Sequence, residues 1–351
     1  MHVVFREHHG LEETDTPFDP GQDPADLVVL SFSDSDLGAF AAGWHRAGGT
    51  LPSLRLCNLV ALKHPVSVDT YAEKTLSGAK AVLVRLIGGE AYWPYGLATL
   101  QDMARRQGMA LAVLPADGRE DARLDQLSTL PVSTLRRLQT LCDAGGAVAA
   151  QAALAQLALA AGIYAAPVIG EKSVPDMGFY DPDLGVLATL PHLAAPEVMV
   201  AFYRAYLTAA DTGPVDALIR ALRAAGFAAH GVFAPSLKAP GVSGWLGAHL
   251  AERAPVAVVN ATAFSARDSD GATPFDACPA PVFQVALSNA RRSDWAGSER
   301  GLSPADMAMH VVLPEVDGRL NAGVISFKSP GKRDPQLQFS RFQHRADAGR
   351  I

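Results

Sequence analysis

The stretch DLVVLSFSDSDLGAFAAGWHRA, residues 26–47, holds the alternation on which the fold rests. Residues 26–32 form a short β-branched apolar run with no polar residue at alternate positions, the pattern of a strand covered on both faces. Ser33-Asp34-Ser35-Asp36 then supplies a helix cap with acids in the first turn, and residues 37–47 continue at helical spacing. A strand running directly into a helix is one half of a βαβ unit.

The same pattern recurs downstream. Residues 54–59 repeat the strand, 66–77 the helix and 79–87 the next strand, which Gly88-Gly89 breaks before a helix over 95–107 and a further strand over 109–114. Helices follow at 132–142 and 147–160. Residues 162–191, with Pro167, Pro175, Pro182 and Pro191, read as a linker. A second cycle begins at 198–206, where pattern leaves strand and helix start both open. It continues with a helix at 214–225, a strand at 227–233, a helix at 242–253 and strands at 256–260 and 282–287. The expected fold is therefore α/β, with two Rossmann- or flavodoxin-like lobes of mainly parallel sheet joined by a Pro-rich linker. The lobes are residues 1–165 and 196–351, and the linker is 166–195. Residues 329–351 close no recognisable element.

Composition narrows the function classes. At 351 residues, 49% hydrophobic and 19% charged, the chain can bury the cores of two domains. Thirty basic against 36 acidic residues give a net charge of −6 without blocks of like charge, so neither nucleic acid nor an anionic membrane is an expected partner. Cys57, Cys142 and Cys278 lie far apart and form no CxxC pair, which excludes a disulfide framework and a thiolate zinc site. The first residues show no leader and the Ala-rich run 145–168 reads as a buried helix, so a cytoplasmic protein is expected. No GxxxxGK[ST] motif is present, so ATP hydrolysis is not expected of this chain.

Charged groups collect where elements end. Ser303-Pro304-Ala305-Asp306 has the form of a helix start, and Pro314-Glu315-Val316-Asp317-Gly318 follows a short apolar segment. In extended backbone Glu315 and Asp317 would point to one side and could hold a cation or take up protons, the alternative being a solvated Asp-Gly turn. His64 precedes a proline and is expected outside a helix, as a ligand or as a loop histidine bonded to backbone. Asp69 fits either a ligand contact or the charge of a helix's first turn. Arg85, at a strand's end, suits a ligand carboxylate or Glu90. Tyr92, Trp93 and Tyr95 offer either a flat surface or packing. The adjacent His8 and His9 point apart in a strand, a poor arrangement for a shared metal.

Two separated motifs carry a family resemblance. Leu313-Pro314-Glu315-Val316-Asp317-Gly318, within the 295–319 run, and His64-Pro65-Val66-Ser67-Val68-Asp69-Thr70-Tyr71, after Asn58-Leu59, resemble the large subunits of ATP-dependent tetrapyrrole metal chelatases, the second motif favouring the cobalt (CobN) type. Asn260-Ala261-Thr262-Ala263-Phe264 is close to a family NATGFA pattern with Ala263 in place of Gly, and Ala234-Pro235-Ser236-Leu237-Lys238 also matches. Family subunits are several times longer, so the chain resembles an N-terminal portion and is expected to be inactive alone. The resemblance implies ATP-dependent cobalt insertion into hydrogenobyrinic acid a,c-diamide in aerobic cobalamin biosynthesis, with ATP hydrolysed by AAA+ and integrin-like partner subunits of the CobS and CobT type. It implies Glu315, Asp317 and His64 as catalytic residues, with Glu315 and His64 toward the metal. Asn58, Ser67, Asp69, Arg85 and Asn260 then fall to substrate binding. The alternatives are a magnesium chelatase H-type protein binding protoporphyrin, and a two-lobed non-catalytic small-molecule binding or scaffold protein.

Overall fold

The computed structural model describes residues 16–191 and 194–351. The chain divides into two compact units. The first takes the chain up to Ser173 with Thr208–Ala210 and Pro330–Phe342, and the second takes Val174–Leu207, Asp211–Ser329 and Gln343–Ile351.

In the first unit β1 (Leu27–Ser31), β2 (Leu54–Asn58), β3 (Ala81–Leu86) and β4 (Ala110–Pro115) form a parallel sheet of order β2-β1-β3-β4. Alternate side chains feed two cores. Leu27, Val29, Leu54, Leu56 and Leu83 pack with Leu37 and Phe40 of helix Asp34–Arg46, Leu135 and Leu138 of Val132–Ala144, and Leu154 of Gly146–Ala160. Val28, Leu30, Val82, Val84 and Leu111 pack on the other face with Tyr71 of helix Pro65–Lys74, Leu97 and Leu100 of Pro94–Gln107, and Leu124 of Ala122–Leu127. The β-branched runs are thus covered on both sides, as parallel sheets require.

The second unit repeats the strand order with one more parallel strand. Here β7 (Glu197–Tyr203), β8 (Ala228–Ala234), β9 (Ala257–Asn260), β10 (Val282–Ser288) and β11 (Leu320–Pro330) lie side by side as β11-β10-β9-β7-β8. Helix Gly213–Ala224 covers one face through Val215, Leu218 and Ile219. Helix Val242–Arg253 covers the other through Leu246 and Leu250.

Two expectations are corrected here. Residues 166–195, expected as a linker, supply β5 (Gly178–Asp181) and β6 (Gly185–Leu187), and β5 pairs antiparallel with β8. These strands are four and three residues long. That is too short for a periodicity to register among the surrounding prolines and glycines. Residues 329–351 are not without structure: β12 (Phe342–Ala346) borders β11, and Leu337 is buried in the first unit's core. The helix begun at Pro304 runs on through a π turn, Ala308–Val312, to Val316.

Helix Asp34–Arg46 meets the Ala-rich helix Gly146–Ala160 backbone to backbone at Gly43. A methyl group there would lie 2.6 Å from the Gln151 nitrogen and 2.8 Å from the Ala147 oxygen. Helix propensity alone would make Gly43→Ala stabilising by about 1 kcal/mol. Overpacking reverses the sign, and the expected outcome is a net loss of about 1–2 kcal/mol in urea denaturation.

Candidate functional site

In doubly wound sheets ligands gather beyond the carboxyl ends of the strands, where successive connections leave in opposite directions. That point falls between β1 and β3 in the first unit and between β7 and β9 in the second.

At the first switch point Arg85 is buried, and its guanidinium is fully engaged. It donates to the Pro115 carbonyl at 2.7 Å and to Asp143 at 2.8 Å, and pairs with Asp36 at 3.4 Å. Asp36 in turn accepts from the Ser31 hydroxyl at 3.0 Å. Glu90, the partner expected for Arg85, is held instead by Arg123 at 2.6 Å, and this bond keeps its carboxyl below the ordinary range. Asn58 caps the turn after β2 through Val60 N and donates to Asp34. Ser67 is buried and accepts from Phe18 N at 2.8 Å. Asp69 is exposed and accepts from the Tyr95 hydroxyl at 2.8 Å, which raises that phenol's pKa. Trp93 is buried with its indole N–H on the Leu62 carbonyl, whereas Tyr92 and Tyr95 face solvent.

His64 is the N-cap of helix Pro65–Lys74, in extended backbone, with Nδ1 accepting from Val66 N at 3.1 Å. A neutral imidazole that accepts at Nδ1 carries its proton on Nε2. As long as it caps, His64 presents a hydrogen-bond donor rather than a metal-ligating lone pair. The backbone-bonded reading of this histidine is the one the geometry realises.

The second switch point is built on a buried polar network. Asn260, at the end of β9, donates to the Gln284 side chain at 2.7 Å, and its own Oδ1 accepts from the Thr262 hydroxyl at 3.0 Å. Gln284 also receives Arg319 at 3.0 Å, and Arg319 pairs with Asp317 at 2.6 Å with both side chains 1% exposed. Burial lowers the Arg319 pKa and the Asp317 charge opposes that shift. Asp317 further accepts from the Ser265 hydroxyl and from Ala266 N, each at 2.6 Å.

Glu315 and Asp317 do not share a side. Glu315 lies in the helical turn Leu313–Val316 and Asp317 closes it, so about 200° of rotation separates them instead of the two-residue repeat of a strand. Glu315 is exposed and makes no ion pair among the described residues; Asp317 is turned inward. The local cause is the π turn, which carries the helix past Pro314 at a position where proline is tolerated.

Among the described residues no group of three or more His, Cys, Asp or Glu could hold a metal ion, and His8 and His9 lie outside them. No helix among the described residues is long and apolar enough to cross a membrane. A cavity of about 640 Å³ lined by Asp26, Thr50, Lys80 and Tyr164 opens at the amino-terminal edge of the first sheet, the end opposite the switch point.

The model of the CobN/Magnesium Chelatase family matches residues 143–350. The chain belongs to that family. Within it, the chain is 37% identical over its whole length to the aerobic cobaltochelatase subunit CobN of Sinorhizobium sp, of which it spans 29%. It is 32% identical, again over its whole length, to the protein of that name from Pseudomonas aeruginosa, spanning 28%. Similarity to the H component of the Rhodobacter capsulatus magnesium chelatase, at 33% identity, covers 46% of the chain and 14% of that protein. The solved catalytic subunit of cobaltochelatase from Mycobacterium tuberculosis superposes with a TM-score of 0.66 at 24% identity, covering 92% of this chain and 26% of that one, a likeness of fold. The chain thus spans under a third of the length of the CobN proteins it matches.

Sequence reasoning passed over Arg319, Gln284, Thr262 and Tyr203 as site-forming residues. Gln284 inside an otherwise apolar strand was the available signal, since a buried amide must find partners.

Two outcomes follow. His64→Ala should cost about 1 kcal/mol of stability, the worth of a cap, and His64→Ser or His64→Asp should restore most of it in urea titrations. Asp317→Ala should cost about 3–5 kcal/mol by stranding the Arg319 charge, and Arg319→Met added to it should recover a large part, read as a double-mutant cycle.

Proposed function

We propose that this chain is a portion of the tetrapyrrole-binding large subunit of a cobaltochelatase. In this reading it helps hold hydrogenobyrinic acid a,c-diamide during ATP-dependent cobalt insertion in aerobic cobalamin biosynthesis. The observation that carries the reading is coverage: similarity to cobaltochelatase subunits runs over the whole chain, and that to the magnesium chelatase component over 46% of it. ATP hydrolysis would fall to AAA+ and integrin-like partners of the CobS and CobT type, and cobalt(II) would be a substrate.

Metal insertion needs two ring nitrogens to lose protons and the ion to shed water, tasks suited to carboxylates and neutral imidazoles. Glu315, solvent-facing and without an ion pair among the described residues, is the group we assign to proton transfer and metal handling. Asp317 acts as a positioning residue through Ser265, Ala266 and Arg319. His64 contributes an Nε2–H donor while it caps, and it ligates only if the cap opens. Asn58, Ser67, Asp69, Arg85 and Asn260 shape the ligand-facing ends of the two sheets, Asp69 through the exposed Tyr95.

The test is an absorbance titration of the chain with hydrogenobyrinic acid a,c-diamide and with protoporphyrin. The expected result is saturable corrinoid binding at least about tenfold tighter than porphyrin binding, a difference of about 1.4 kcal/mol. The reverse preference would assign the magnesium chelatase H type, and absence of both would leave a scaffold role. The chain with ATPase partners but without the remainder of a large subunit is expected to insert no cobalt.

A further inference from the structure

The loop that follows β9 is built more heavily than a connection requires. Ala261, Thr262, Ala263 and Ala266 are buried, whereas Phe264 and Arg267 face outward. The Tyr203 hydroxyl grips the loop at Ala263, donating to its carbonyl at 2.7 Å and accepting from its N–H at 3.0 Å. Asp317 grips it two residues later at Ser265 and Ala266. Between the two grips Phe264 sits at φ 66, a left-handed backbone that a bulky residue adopts only when its surroundings impose it. Its N–H donates to the Met309 carbonyl in the π turn at 2.8 Å. A glycine would occupy this position without strain. The aromatic ring held there is 39% exposed, at the switch point of a parallel sheet, and belongs to none of the buried clusters among the described residues.

The neighbouring charges complete a recognisable chemistry. The Arg267 side chain is half exposed and only loosely paired, 3.6 Å from Asp317, so its guanidinium can receive a carboxylate. Beneath the loop Arg319 is buried, paired with Asp317 and Gln284 and stacked over the Phe275 ring at 5.3 Å, so the loop rests on a guanidinium held from three sides.

We propose that residues 261–267 are a ligand-contact loop. Phe264 is the stacking face, and Arg267 the anion partner, for a planar conjugated ring carrying carboxylate side chains. The ring's identity as a tetrapyrrole rests on the reading in the preceding subsection; the assignment of the loop rests on its geometry.

The experiment compares the full 351-residue chain with Phe264→Gly, Phe264→Leu and Arg267→Gln. It measures Tm and, by absorbance titration, Kd for hydrogenobyrinic acid a,c-diamide. Phe264→Gly relieves the left-handed backbone, so its Tm should equal or exceed that of the parent while Kd rises at least about tenfold. Phe264→Leu should weaken binding at unchanged Tm. Arg267→Gln should weaken it several-fold and flatten its salt dependence. A Tm lowered by several degrees in Phe264→Gly would make the ring a packing residue and overturn the proposal, as would unchanged Kd in the Phe264 and Arg267 variants. A parent chain that binds no tetrapyrrole overturns both this assignment and the functional reading, whereas binding by the parent with unaffected variants overturns the loop alone.

Discussion

A parallel strand with helices on both faces has nowhere to place a polar side chain except at its ends. That constraint arranges each unit. In β1 all five residues are buried, and the polar groups Ser31, Asn58 and Arg85 stand at or near the carboxyl ends, with Arg55 near the amino end of β2. The second unit obeys the same rule at Tyr203, Asn260 and Ser288. Gln284, His230 and Ser326 are buried polar groups inside strands, and Gln284 is tolerated because Asn260 and Arg319 lie beside it in hydrogen-bonding distance.

The second unit's loop then depends on one buried ion pair. With both side chains 1% exposed, the Asp317–Arg319 pair costs desolvation that its mutual attraction alone would not repay. The additional bonds from Ser265, Ala266 and Gln284 offset part of that cost and convert the pair into a clamp on two chain segments. The loop conformation held by this pair is a strained one, with Phe264 at φ 66.

Much of this was legible in the residues and some was not. The runs at 26–32, 54–59, 79–87 and 109–114 announced the first sheet because strands buried on both faces leave uninterrupted apolar sequence. Strand β7 stayed ambiguous because a run of seven residues does not separate a strand from a buried helix by periodicity. The π turn was illegible: it leaves the composition of residues 304–316 unchanged, yet it carries the helix on past Pro314, and helical rather than extended backbone at 313–316 is what separates Glu315 from Asp317. Asp317 and Glu315 were found as a pair of acids, whereas the role of Asp317 could be read only with Arg319, Ser265 and Ala266 in place. His64 was found through its proline, and the cap it makes is the kind of local bond that a His-Pro step permits but does not announce.

The two switch points, alike in strand order, differ in what they leave undone. At the first, Arg85 reaches a carbonyl and two carboxylates, and Asp36 and Asp143 are partly exposed, so the guanidinium is met from within the unit. At the second, Arg267 is loosely held and an aromatic ring is carried outward at a conformational cost. A folded chain retains backbone strain only where the surrounding structure enforces it, and such places cluster at functional sites. The proposed ligand-contact loop rests on that strain at Phe264 together with the loosely held Arg267.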